Sequence, residues 1–267
     1  FVGSIPAAPF VEQQCNGSVC ASDPAAGCLL KVIAPQAGSG SSFSLYNSAG
    51  VLLAGPQLSD SLYLKNLTQS GSGLKTFYVT VTTNGCESLP SIPVQIQLDT
   101  IPKLKANAGQ DIFICENIPL QLCATAVNTG TGQWSQLSGP VVQIITPFDV
   151  CSNIAGSKGG QNLSFVWSLS NGACLHYSQD TVNVSISEKM QASAETPVQL
   201  CKDEPVFINA LAGNGVWTQP DAQASAGVVI QNPASASTAV FNLSANNSYI
   251  FDWVVDNGAC GTAIAQV

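Results

Sequence analysis

Charged side chains are scarce in this chain. Asp, Glu, Lys and Arg make up 9% of its 267 residues, against roughly a quarter in an ordinary soluble domain. Only 8 bases stand against 16 acids, a formal net charge of −8. That excludes a nucleic-acid surface, which needs a basic stripe. Histidine occurs once, at His176, so His-centred triads have a single candidate base, and its polar loop position reads as plain surface. The chain has no Gly-x-Ser-x-Gly elbow, no His-Glu-x-x-His and no P-loop. Its 16 acids, spread over three small units, leave little chance of a cleft uniting a catalytic pair. No enzyme is expected. No apolar run approaches the roughly 18 residues of a membrane span. No stretch combines a helical period with caps, so an almost helix-free chain is expected. There is no initiator methionine and no signal peptide of the usual form, and the chain opens on Phe1-Val-Gly-Ser. It reads as a slice of something longer.

What the chain does have is a repeat. Trp167-Ser-Leu-Ser-Asn-Gly-Ala-Cys174 returns 86 residues later as Trp253-Val-Val-Asp-Asn-Gly-Ala-Cys260. A weaker copy lies 88 residues earlier, as Val79-Thr-Val-Thr-Thr-Asn-Gly-Cys86. Each is an alternating strand that runs into an Asn-Gly turn and stops at a cysteine. A fixed period of this size marks a tandem array. It divides the chain into units 1–99, 100–188 and 189–267. In the first, Phe77, Val79 and Val81 share one face, as do Ile92, Val94, Ile96 and Leu98. That period of two is the half-buried strand pattern. About seven short strands per unit, with turn signals between them, is the profile of a β-sandwich. Only seven residues follow Cys260, so the last strand of unit three is expected to be missing or incomplete.

Ten cysteines, six of them at matched positions, point to an oxidising compartment. Cys115–Cys174 and Cys201–Cys260 are both 59 residues apart. The equal spacing predicts two within-unit bridges, each stabilising by roughly 4 kcal/mol through loop closure. Unit one is then expected to pair Cys15 with Cys86 and Cys20 with Cys28. Cys123 and Cys151, on what should be neighbouring strands, form the fifth pair. Zinc is disfavoured, because the spacings lack tight Cys pairs. Trp134 and Trp217 each follow a Gly by two residues, and Trp167 and Trp253 lie on the strand that meets the cysteine. All four are expected in the core, beside a disulfide. The competing use is an exposed carbohydrate-stacking platform. Asp203-Glu204 offers a candidate calcium contact, but a solvated turn is the simpler reading, and no cofactor is expected.

The stretch Asn107-Ala-Gly-Gln-Asp-Ile-Phe-Ile-Cys115, then Gly130-Thr-Gly-Gln-Trp-Ser-Gln-Leu-Ser-Gly-Pro140, then Trp167 to Cys174, resembles the PKD/Ig-like repeats of very large surface proteins of Bacteroidota. Unit three matches through Val228 to Pro233, Thr238 to Leu243 and Trp253 to Cys260. Unit one is similar to related Ig-like modules. The resemblance implies tandem sandwiches in a gliding-associated adhesin or another giant protein exported by the type IX route. Their implied roles are spacers, adhesive stalks and building blocks of extracellular appendages. Bacteria of that phylum O-glycosylate Asp-Ser/Thr followed by a small or apolar residue. Asp60-Ser61-Leu62, Asp99-Thr100-Ile101 and Asp180-Thr181-Val182 fit, which makes Ser61, Thr100 and Thr181 candidate acceptors. The competing reading is turn chemistry. Sequons at Asn16, Asn66, Asn162, Asn183, Asn242 and Asn246 carry little weight in a bacterial chain. The expected partners are neighbouring repeats of the same longer chain, other copies in a filament, and surface glycans. The chain is expected outside the cell or on its outer surface. The alternative role is a carbohydrate-binding or accessory module of a secreted polysaccharide-degrading enzyme.

Overall fold

The computed structural model describes residues 4–23, 27–34, 37–64, 71–196, 206–220 and 227–267. Val198 to Cys201, Asp203-Glu204 and Asn66 lie outside the described residues. The fold is all-β and Ig-like. Among the described residues the helical structure is one 3₁₀ turn, Gly258–Cys260. Three apolar clusters are buried in succession. The first centres on Leu30, Leu45, Val79 and Ile96, the second on Trp134, Phe165 and Trp167, and the third on Trp217, Trp253 and Val255.

Unit two shows the plan. One sheet runs in the order Ile112–Cys115, Cys174–Ser187, Asn162–Asn171, Thr131–Ser138, and the facing sheet in the order Leu120–Cys123, Cys151–Ala155, Gln143–Ile144. The unit's first strand, Ile112–Cys115, pairs parallel with its last, Cys174–Ser187. In unit one the second strand makes the same pairing: Phe10–Gln13 comes first, and Ser18–Cys20 lies parallel to the last strand, Val94–Asp99. Parallel pairing makes this early strand and the last strand run out at the same end of the sandwich, with Cys20 opposite Asp99 and Cys115 opposite Ser187. The cysteine at the end of this parallel strand in each unit is thereby delivered to the end from which the chain leaves for the next unit.

The strands bury the residues that alternation picks out. Phe77, Val79 and Val81 face the core of unit one, as do Val94, Ile96 and Leu98. Ile92 departs from the expectation and is exposed. The ladder is interrupted before it: Ser88 and Ser91 turn their hydroxyls inward to accept from Val81 N and Val79 N, both at 3.0 Å. Pro90 and Pro93 cannot donate to a ladder. The strand therefore restarts at Val94. In unit three, Thr262–Gln266 pairs antiparallel with Asp252–Asp256. This strand is five residues long, against fourteen for the last strand of unit two.

The tryptophans explain the Gly-x-Trp pattern. Trp134 stands directly opposite Trp167, and Trp217 opposite Trp253. Both ring pairs have centroids 5.1 Å apart and are tilted by 46° and 50°. Such a pair adds roughly 0.5–1.5 kcal/mol beyond its buried area. A Cβ on Gly132 would run into the Trp167 ring, and one on Gly215 would lie 2.9 Å from Trp253 Cε2. Each glycine leaves the room that the opposite indole fills. All four indoles are at most 2% exposed, and none forms part of a surface platform.

Candidate functional site: the bridged junctions between units

The cysteines sit at the expected turns and strand ends, but most of the expected pairs do not form. Cys174 bonds Cys20 of unit one, and Cys260 bonds Cys115 of unit two, with Cα atoms 4.8 and 4.6 Å apart. The within-unit pairs Cys115–Cys174 and Cys201–Cys260 are therefore replaced by bridges between successive units. In unit one, Cys15 bonds Cys28, which replaces both Cys15–Cys86 and Cys20–Cys28. Cys86 is a free thiol among the described residues. Cys123 bonds Cys151, directly opposite it on the neighbouring strand. Cys201 lies outside the described residues. The physical reason is the early strand that lies parallel to the unit's last strand. It carries its cysteine to the exit end of the unit, while the Asn-Gly hairpin is carried to the end that faces the preceding unit.

Each junction is built from the same three contacts. At the first, the Cys20–Cys174 bridge is flanked by Ala173 N donating to Asp99 Oδ2 at 2.7 Å. Asn171 Nδ2 donates to the Thr100 carbonyl at 2.8 Å. At the second, Ala259 N donates to Ser187 Oγ at 3.1 Å, and Asn257 Nδ2 to the Met190 carbonyl at 2.8 Å. In both, the hairpin of one unit grips the last residue of the preceding unit's last strand and a carbonyl of the linker after it. The side-chain amide of the repeated Asn is what reaches the linker. The glycine next to it makes the approach close. Gly172 and Gly258 have φ of 54° and 55°, where L side chains are strained. A Cβ on Gly172 would run into the Asp99 carboxylate, and one on Gly258 would lie 2.8 Å from Ser187 Oγ.

The other residues singled out in the sequence are dispersed. His176 is an exposed residue with φ of 47°, its amide donating to Ser170 Oγ at 2.9 Å. Ser61 is half-buried and donates to Asp60 Oδ1 at 3.1 Å. Asp60 also pairs with Lys31 Nζ at 2.6 Å, and the lysine and then the Ser61 hydroxyl hold its carboxyl below the usual range. Thr100 is half-buried in the first linker, and Thr181 is exposed on the last strand of unit two. Burial pushes the Tyr177 phenol up, and its hydroxyl has no partner among the described residues. Among the described residues no three His, Cys, Asp or Glu side chains converge as metal ligands would, and no helix is long and apolar enough to cross a membrane. The junctions were not legible as such. The one signal for them was that the hairpin cysteine comes after Asn-Gly in every unit.

No family model and no curated protein matches the chain. Among solved structures it is similar to Drosophila OTK extracellular domains 3–5, at 13% identity, 99% of each chain and a TM-score of 0.37. It is also similar to titin domains I67–I69 in an E-to-A mutated variant, at 8% identity, over 97% of this chain and 92% of that one, with a TM-score of 0.45. A third is Sidekick-1 immunoglobulin domains 1–5, at 14% identity, 97% and 60% coverage and a TM-score of 0.44.

Proposed function

We propose that the chain is a structural and adhesive repeat segment of a large secreted or cell-surface bacterial protein, of the kind Bacteroidota export by the type IX route. It acts as a stalk or as a building block of an extracellular appendage. The observation that carries this reading is the pair of inter-unit disulfides, each set in the same hairpin contact. A flexible string of independent modules has no use for covalent locks at every joint, whereas a stalk that must hold its length does. The first junction locks unit two onto unit one, and the second locks unit three onto unit two. The two bridges interleave along the chain, since Cys115 lies between Cys20 and Cys174 while Cys260 lies beyond them. Pulling on the ends then loads several chain segments in parallel. The disulfides favour an oxidising, extracellular setting. A surface poor in charge changes little with salt. Thr181, exposed on a strand, is the acceptor best placed for an O-glycan, which would further shield the array.

The carbohydrate-module reading would have to rest on a tyrosine such as the exposed Tyr63, since the four indoles are buried. Electron microscopy of intact cells labelled with an antibody against this chain tests the proposal. Label on projections from the cell surface supports it. Label inside the cell, or retention of the purified chain on a glycan array without any surface projection, contradicts it.

A further inference from the structure

Unit two carries one bridge that lies in neither joint, Cys123–Cys151. Its cysteines stand directly opposite each other on the antiparallel strands Leu120–Cys123 and Cys151–Ala155. Leu122 and Ile154 point into the core, so Cys123 and Cys151 share the outer face of the sheet with Gln121 and Asn153, and all four are exposed. Unit three builds the same ladder without a bridge. There Asn209 stands opposite Ser237, each 86 residues on from Cys123 and Cys151. Beside each pair the same backbone bond ties the strands, Ala124 N donating to the Val150 carbonyl at 2.9 Å and Ala210 N to the Ala236 carbonyl at 2.8 Å. The fold at this position therefore does not need a covalent bond. The bridge stands instead in the unit that the two joints grip at both ends, through Cys174 and Cys115.

We propose that Cys123–Cys151 is a site of reversible thiol–disulfide exchange that sets how far unit two can extend between its joints. The first support is access. Exchange requires a thiolate to reach a sulfur, so exposed bridges react ahead of covered ones. Cys20 and Cys174 are 8% and 3% exposed, and Cys28 is fully buried. Cys115 and Cys260 are half-buried, and the Cys260 sulfur lies 3.3 Å from the Ser187 carbonyl. The second support is position in the covalent network. With the bridge closed, the joints are connected by 23 residues from Cys174 to Cys151 and 8 from Cys123 to Cys115. With it open, they are connected by the 59 residues from Cys115 to Cys174. In the exchange, a thiolate of a dithiol reductant attacks one sulfur, and the other leaves as a thiolate. The reductant's second thiol then displaces the protein sulfur from the mixed disulfide. The bridge gains two electrons and two protons, and the reductant leaves as its own disulfide. A disulfide oxidant reverses the step. The joints stay closed throughout, so the array lengthens under load without coming apart.

Graded reduction of the folded, oxidised chain tests this. The chain is exposed to dithiothreitol for increasing times and quenched in acid, and its free thiols are blocked and mapped by peptide sequencing. Cys123 and Cys151 should become labelled together, at least about tenfold faster than the cysteines of either joint. Molecules taken at that stage and stretched should stop at about 200 Å between Cys20 and Cys260, against about 110 Å before reduction. Cys123→Asn with Cys151→Ser gives unit two the pair that unit three already carries. This double variant should show the longer limit without reductant and with both joints closed. Joints that open before Cys123–Cys151, or together with it, overturn the inference. So does a limit that stays at about 110 Å once that bridge alone is open. The extension limit has a purpose only on the stalk reading, whereas the order of reduction does not depend on it. Label absent from surface projections would reject that reading and leave the exchange site standing.

Discussion

The two junctions do one job with different chemistry. At the first, a carboxylate, Asp99, accepts the hairpin amide at 2.7 Å; at the second a hydroxyl, Ser187, accepts it at 3.1 Å. A charged acceptor makes the stronger hydrogen bond, yet the bridge, the asparagine-to-linker bond and the close glycine are the same in both. The difference shows which parts of the joint are interchangeable. The acceptor at the strand end varies with little consequence for geometry. The covalent bond and the glycine carry the design.

The comparison breaks most sharply if the bridges are removed. Replacing Cys20 and Cys174 by Ala, or Cys115 and Cys260, opens loops of 154 and 145 residues. By the chain-entropy account each loss is about 5 kcal/mol. Denaturant unfolding should show the two double variants weakened to a similar degree, and small-angle scattering should show the joined units moving apart. Next comes the glycine. In variants with the local bridge removed, Gly172→Ala should shift the docking equilibrium of unit two against unit one by about 2 kcal/mol, combining backbone strain with the collision at Asp99. Gly258→Ala should act in the same direction but less, because it meets the end of a serine side chain. Single-molecule fluorescence distances across each joint would read both.

The strand-end acceptors should separate the joints by a smaller margin. Asp99→Ala should weaken the first by about 1–2 kcal/mol and Ser187→Ala the second by about 0.5–1 kcal/mol, on the scale of charged and neutral hydrogen bonds at partly exposed sites. The smallest effect lies away from both joints. Asp60, paired with Lys31, has its carboxyl held low. Its stabilisation is fully present above the ordinary carboxylate value of 3.8 and is lost as pH falls through the lower, folded value. An NMR titration should find the Asp60 midpoint below 3.8, and Lys31→Met should return it upward with no change in either joint.

The sequence carried the architecture well and the connectivity poorly. Alternation marked the strands that hold Val79 and Ile96, and the Gly-x-Trp pairs announced the indole cores. The hairpin ending at Cys174 and Cys260 marked the repeat. The pairing was hidden because a periodic array presents the same 59-residue spacing whether cysteines bond within units or between them. The true separations, 154 and 145 residues, differ by nine. Unit one places the cysteine of its parallel strand at Cys20, 95 residues before Cys115 and not 86. Direction decides the matter: a first strand lying parallel to the last sends its cysteine away from its own hairpin. Parallel or antiparallel pairing of a four-residue strand leaves no mark in side-chain alternation, so no residue pattern could show it.

Stretching a single molecule tests the account most directly. Between Cys20 and Cys260 the shortest covalent path in the bridged chain has 23 residues from Cys174 to Cys151 and 8 from Cys123 to Cys115. Fully extended, that is about 110 Å. The oxidised chain is predicted to stop there under load, and after reduction to lengthen to about 800 Å over the same segment. Within-unit bridges Cys115–Cys174 and Cys201–Cys260 would instead leave 95 residues from Cys20 to Cys115 and 27 from Cys174 to Cys201. An oxidised limit of about 400 Å would therefore contradict the interlocked junctions.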